Sequence, residues 1–433
     1  MTMRRFFTGS TGARLVRAAG AALAALLAFG GLASATVADR SADAVLGQPD
    51  FTTVGCNRGG LAASPASLPD AASLCGPAAV VVDRVGRLWV ADSGNNRVVR
   101  WPNAEAFVTH QAADLVLGQP GFTSAACNAG GINARTLCGP FGLAVEDSGA
   151  LWVADSGNNR LLRYAHPRVH GQAADLVLGQ PDFTHGGCNT GGVSARSLCR
   201  PLGVASDRAR HLYVGDFENG RVLAYYHPRT GGRADLVLGQ PDFATPGRSR
   251  CFVEAHANAK ELCQPAGVAV DNFRRLWIAD RGHSRVLAFT RPRANQQSAD
   301  LVLGHPDFGS GGLDGCRPGQ TSATSLCFPL WVGVGVRGEV YVADTADSRV
   351  LRYARPHTSG QPADWLLGQP EFAGSFCNAG RSNADRDTLC RAEGMAVDRR
   401  GDVLVADSDN SRVLRYHRST LAEPEPGEDD DDA

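Results

Sequence analysis

With 433 residues, 43% of them apolar and 20% charged, the chain has the length and composition to bury a large core, which excludes a disordered or fibrous protein. Its formal net charge of −1 gives no electrostatic reason to expect a nucleic acid partner. In chain order, residues 1–35 stand apart from the rest. Arg4, Arg5, Arg14 and Arg17 give a basic start, Ala18 to Leu32 is an uncharged Ala/Leu/Gly run, and Ala33-Ser34-Ala35 is a small-x-small cleavage site. That order reads as a secretory signal peptide, so the protein is expected to be exported to the periplasm or the medium. Residues 36–42 form a short lead-in.

From residue 43 onward the sequence repeats itself. An Ala-Asp-x-x-Leu-Gly-(Gln/His)-Pro segment recurs with its Asp at 43, 114, 175, 235, 300 and 364. Each copy leads into a Gly/Asn/Ser-rich stretch holding two cysteines. Three apolar segments follow, such as Gly267-Val268-Ala269-Val270-Asp271, Leu276-Trp277-Ile278-Ala279-Asp280 and Arg285-Val286-Leu287. These are short, rich in β-branched and aromatic residues, and separated by turn residues, so they read as strands. Six units of four strands (a, b and c, then d from the Ala-Asp-x-x-Leu-Gly segment) specify an all-β, six-bladed propeller over residues 43–418. The first d-like segment precedes any a strand and no d strand follows Arg412 to Tyr416. The ring is therefore expected to close by pairing residues 43–47 with the last c strand, which removes two exposed edges. The remainder, 419–433, is rich in Glu and Asp and reads as a disordered acidic tail.

Pro265-Ala266-Gly267-Val268-Ala269-Val270-Asp271 with Leu276-Trp277-Ile278-Ala279-Asp280 and Arg285-Val286-Leu287 resembles the NHL repeat, and all six units fit in register. Ala79 and Trp331 depart from the pattern in place of Gly, Ala392 in place of Pro and Gly335 in place of the strand-a Asp. The family holds binding domains and a metal-dependent lyase, so the resemblance implies architecture and leaves function open.

The twelve cysteines fall two to a unit, as Cys56/Cys75, Cys127/Cys138, Cys188/Cys199, Cys251/Cys263, Cys316/Cys327 and Cys377/Cys390. The repeat favours one local disulfide in each d-to-a connection, in keeping with export. Counting strand directions puts these loops and the b-to-c turns on one face. Six Asp–Arg couples keep a five-residue offset: Asp92/Arg97, Asp155/Arg160, Asp216/Arg221, Asp280/Arg285, Asp344/Arg349 and Asp407/Arg412. Recurrence in every unit argues for structural ion pairs over an ion-binding ring.

Positions where the units disagree are the candidate ligand-binding residues. After the second Cys of each pair the chain has Arg200, Gln264 and Arg391 where two other units have Gly, and Glu393 follows two residues later. Leading into the innermost strands, these should lie at the mouth of the central channel, where two arginines suit a carboxylate or phosphate. Trp331 offers an aromatic wall. His283 replaces an Asn or Asp of the b-to-c turn and reads as an exposed turn histidine or a ligand. No catalytic set is recoverable, because neither a nucleophile elbow nor a phosphate loop occurs.

These readings lead to an expected function: an exported, non-catalytic propeller binding a protein, peptide or carbohydrate on its stapled face. It is expected to be a monomer with no nucleic acid partner and no membrane span once the leader is removed. The alternative is a metal-dependent lyase or hydrolase with its site at the channel mouth, and a second is a structural envelope protein. No cofactor is expected, with calcium or zinc in the channel the open alternative.

Overall fold

The computed structural model describes residues 40–418 apart from 60–67, 246, 248–256, 313–315 and 317–318. The expected leader and acidic tail lie outside the described residues. Six four-stranded antiparallel sheets make up the described chain, and five of them run a-b-c-d in chain order. The sixth draws on both ends of the chain: Ala44–Leu46 pairs with Arg412–Tyr416 (Ala44 opposite Arg415, Leu46 opposite Val413), beside Val403–Asp407 and Ala392–Val397. The first and last strands thus share one blade, and the ring closes as the strand count requires.

Why these residues form blades follows from their alternation. In the third blade (strands Pro201–Ser206, Leu212–Asp216, Arg221–Tyr225 and Leu236–Leu238) both sheet faces are buried, because each blade packs against a neighbour on either side. Trp152, Leu161 and Leu178 of blade two meet Leu198, Val214, Leu223 and Tyr225 of blade three in one continuous cluster. Each fully buried side chain of this size contributes roughly 1.5–3 kcal/mol. The a strands crowd the axis. A Cβ at Gly203 would lie 2.1 Å from the carbonyl oxygen of Ala266 on the next blade, so glycine permits this approach of backbones.

Stapled loops and b-to-c turns do share a face. Cys127–Cys138, Cys188–Cys199, Cys316–Cys327, Cys377–Cys390 and Cys56–Cys75 are disulfides, while Cys251, expected to pair with Cys263, lies outside the described residues. The strand-b aspartates fasten the two sets of loops together. Asp155, fully buried, accepts from the backbone N–H of Cys138 at 2.8 Å and from Arg160 Nε at 2.8 Å. Arg160 in turn donates to the carbonyls of Asn133, Thr136 and Phe183. The other five couples repeat the pairing, with Nε to carboxylate distances of 2.6 to 2.8 Å and no exposure of either side chain.

The six Asp–Arg pairs expected from the repeat are present, and Arg97 and Arg349 show what else these arginines bind. Arg97 bonds Asp92 through Nε at 2.7 Å, but its other donors go to the backbone carbonyls of Asp70, Ser73 and Phe122. It is a buried hub between two loops and a turn, since five donors sealed from water each need an acceptor and one carboxylate supplies too few. Arg349 departs further, because it faces two carboxylates. Asp344 lies 2.8 Å from its Nε, and Asp347, where four other blades have Asn and blade four has His283, lies 3.5 Å from its second terminal nitrogen. Arg349 also donates to the carbonyls of Ser325 and Phe372. Neither arginine is open to a ligand. Among the described residues no helix is long and apolar enough to cross a membrane.

Candidate active site at the channel mouth

The residue after the second Cys of each pair adopts left-handed backbone geometry in all six blades. Gly76 and Gly139 do so freely; Arg200, Gln264, Phe328 and Arg391 do so with φ between 47° and 53° despite their Cβ atoms. Neighbouring blades hold the strained residues in place. Arg200 N–H donates to Asn159 Oδ1 at 2.8 Å, and Arg391 N–H to Ser348 Oγ at 3.2 Å. Strain of this kind persists where surrounding structure over-determines it.

These residues gather at the mouth with two that the sequence reading missed. Phe217 and Arg281 each follow the strand-b Asp of their blade, at positions where the other blades have Ser93, Ser156, Thr345 and Ser408. Leu202, Phe217, Ala266 and Leu330 form a small apolar plate with Phe141 packed against it. The Arg200 and Arg281 guanidiniums lie over the Phe217 ring at 5.4 and 5.9 Å, and Arg281 also lies over Phe328 at 4.8 Å. Gln264 Oε1 accepts from Arg281 at 3.0 Å. A cleft of about 740 Å³ opens beside the plate, bordered by Phe141, Asn189, Arg200, Leu202 and Glu218.

On the blade-six side of the mouth, the almost buried Glu393 accepts from Arg391 at 2.9 Å. Burial pushes its carboxyl up to about 7, with Arg391 pulling the other way and Asp409 reinforcing the rise. Arg281 responds to the same group of charges. Burial lowers it first, the like charges of Arg391 and Arg200 lower it further, and Glu393 opposes them. Three guanidiniums and three carboxyls therefore meet at one opening, with Glu218 3.6 Å from Arg200 and Asp409 3.9 Å from Arg391. Among the described residues no three of His, Cys, Asp and Glu are grouped to hold a metal ion. The donor set is thus a poor fit to the metal of the family's lyase.

Two expected site residues lie elsewhere. His283 is 1% exposed, and its Nδ1 sits 2.9 Å from Asp280 Oδ2. Asn95, Asn158, Asn219 and Asn410 bond their own strand-b Asp from the same turn position, so the imidazole takes over the role of an amide. The expectation of an exposed turn histidine is corrected accordingly. Trp331 is also buried, within the large cluster that includes Met395 and Trp365, and offers no open wall. The structure brings Arg200, Gln264, Arg391 and Glu393 to the mouth and leaves these two out.

The NHL repeat pattern matches residues 74–101, 137–164, 198–225, 262–289 and 389–416, which are blades one to four and six. Teneurin-3 of Danio rerio is 23% identical over 295 residues, 63% of this chain and 10% of teneurin-3, so the chain spans about a tenth of that relative's length. Among solved structures, a Bacteroides thetaiotaomicron protein of unknown function is similar at a TM-score of 0.50 and 12% identity, covering 84% of this chain and 76% of that one. A streptogramin B lyase (TM-score 0.45, 10% identity, 81% and 94% covered) and a gluconolactonase of Xanthomonas campestris (0.46, 14%, 87% and 96%) are also similar. At these identities the likenesses show the fold alone. The expectation of a non-catalytic module is nonetheless corrected: one fold hosts many unrelated functions, so the lack of a familiar sequence motif gave no ground for setting catalysis aside. This chain is an NHL-repeat β-propeller protein, with six blades and disulfides in the loops that join them.

Proposed function

We propose that the protein is an enzyme, a lyase or hydrolase acting at the channel mouth on a carboxylate- or phosphate-bearing substrate with an apolar portion. One observation carries the reading: a nearly buried carboxyl, Glu393, is bonded to Arg391 and coupled to Arg281 beside an apolar plate. Arg200, Arg281 and Arg391 would hold the anionic group, which bidentate guanidiniums do well in a partly dried opening. The plate of Leu202, Phe217 and Leu330 would take the apolar portion. Glu393, as general base, would remove a proton from water for hydrolysis or from carbon for elimination, and hand it on as the products leave. Export to the periplasm or medium is part of the same proposal, supported by the disulfides, which form and persist in oxidising compartments.

The test is turnover by the full-length chain on a panel of carboxylate-bearing esters, lactones and elimination-prone acids, read by mass spectrometry. Glu393→Gln should reduce kcat by about 10²- to 10⁴-fold. Since burial raises the carboxyl to about 7, kcat/KM of the unmutated protein should climb as pH rises through that value, where the base form appears. Turnover that survives Glu393→Gln, or the absence of turnover across the panel, would defeat the reading.

A further inference from the structure

We infer a second ligand site, independent of the mouth: a cleft on the opposite face, between blades three and four, built to hold an oxyanion attached to an aromatic or apolar body. The cleft measures about 540 Å³ and is bordered by the a-to-b turns and the c-to-d connections of these two blades. In blades one and four the strand-a acid is shut in by its own blade. Asp83 accepts from Arg87 Nε and Trp89 Nε1, and Asp271 from Arg275 Nε at 2.8 Å and Trp277 Nε1 at 3.0 Å.

Blade three is built differently. His211 and Tyr213 stand where those blades have Arg and Trp. Asp207 Oδ2 lies 2.9 Å from His211 Nδ1, and the imidazole leans on the Tyr226 ring with centroids 4.6 Å apart. An imidazole held at Nδ1 presents Nε2 outward in a fixed orientation. Among the described residues no protein atom bonds that Nε2.

The arginines carry the argument further. Every carboxylate bordering the cleft is engaged: Asp147 by Arg84, Asp207 by His211 and Asp271 by Arg275. Arg274, Arg291 and Arg293 border it too, and none has a carboxylate partner among the described residues. The concave surface therefore has positive charge to spare, the condition for an anion site. Arg274 is also out of place conformationally. It sits at φ 63° where four other blades have Gly86, Gly149, Gly338 and Gly401, so an arginine occupies a position that glycine fills without strain. Leu276, Val270 and Tyr213 supply an apolar wall beneath the charges.

The test is calorimetric titration of the full chain with phenyl phosphate, benzoate and inorganic phosphate. In the Arg391→Ala variant, whose mouth is disabled, phenyl phosphate or benzoate should still bind at one site with Kd on the order of 1 mM or tighter, the better of the two naming the headgroup, and inorganic phosphate should bind more weakly. Adding Arg274→Gly, which relieves the backbone, together with Arg291→Ala should weaken that binding about tenfold or more. Because the mouth is disabled throughout, this site's fate stays separate from that of the proposed enzyme. Absence of saturable binding in the Arg391→Ala variant, or its indifference to the Arg274→Gly/Arg291→Ala pair, would each overturn the inference.

Discussion

Blades one and two differ from blades three and four at the turn position after the strand-b Asp, and the difference separates what holds the ring from what the ring presents. In the first pair the residue after the strand-b Asp is a serine. Ser93 and Ser156 donate to the carbonyls of Pro140 and Pro201 on the next blade, and Thr345 of blade five does the same to Ala392 at 2.7 Å. In blades three and four the position holds Phe217 and Arg281, neither of which can make that short reach as a hydroxyl does. The latch is gone and the side chains lie in the channel mouth instead. The Asp–Arg couple just below is the same in both pairs. Scaffold and site are therefore one residue apart in sequence.

The comparison is broken most directly by removing the shared fastening. Asp155→Ala strands the buried Arg160 guanidinium, and Asp280→Ala strands Arg285. Each should cost about 3–5 kcal/mol, because an unpaired buried charge remains. Urea unfolding of the two variants should give matching losses. A much smaller loss for Asp280→Ala would show that blade four has released its scaffold along with its latch.

How much of this was legible in the sequence follows from the same distinction. What repeats could be read: six units, their strand order, the ring closed by residues 43–47, the cystine loops and turns on one face. A pattern printed six times averages out local exceptions. It also hides what a shared residue does beyond its obvious partner, so the offset that paired Arg97 with Asp92 said nothing of the carbonyls it gathers, nor of the second acid beside Arg349. The mouth was legible only where disagreement between units was sought, after the second Cys, which found Arg200, Gln264, Arg391 and Glu393. Phe217 and Arg281 needed the same comparison one residue beyond the strand-b Asp, where Ser, Ser, Phe, Arg, Thr, Ser spells out the change. His283 and Trp331 disagree with their counterparts too, yet they are buried. Disagreement alone does not separate a residue that replaces a structural amide from one that faces solvent, because that depends on which way the backbone turns the side chain.

A gentler change sharpens the comparison. Ser156→Ala removes one hydroxyl from a buried, 2.5 Å contact to the Pro201 carbonyl, at a cost of about 1 kcal/mol in urea unfolding. Turnover at the mouth should fall no further than stability does, since Ser156 borders the cleft but bonds the next blade and not the arginines. A change in kcat/KM larger than the change in stability would mean that the latch also tunes the opening.

The smallest expected effect is the most telling, because it runs opposite in sign. Gln264 sits at φ 52°, where an L side chain is strained and Gly76 and Gly139 show that glycine serves. Gln264→Gly should stabilise the fold by about 0.5 kcal/mol, the relief of left-handed strain exceeding the entropy that glycine adds to the unfolded chain. Gln264→Ala keeps the Cβ and should not stabilise. Both variants free Arg281 from its 3.0 Å contact with the Gln264 amide, so both should weaken substrate binding equally. Stability that rises with glycine alone, beside affinity that falls with either, would mean the chain carries strain at this position in order to aim a guanidinium. If glycine instead destabilises, the side chain is there for the fold, and blades three and four hold their unusual residues for packing after all.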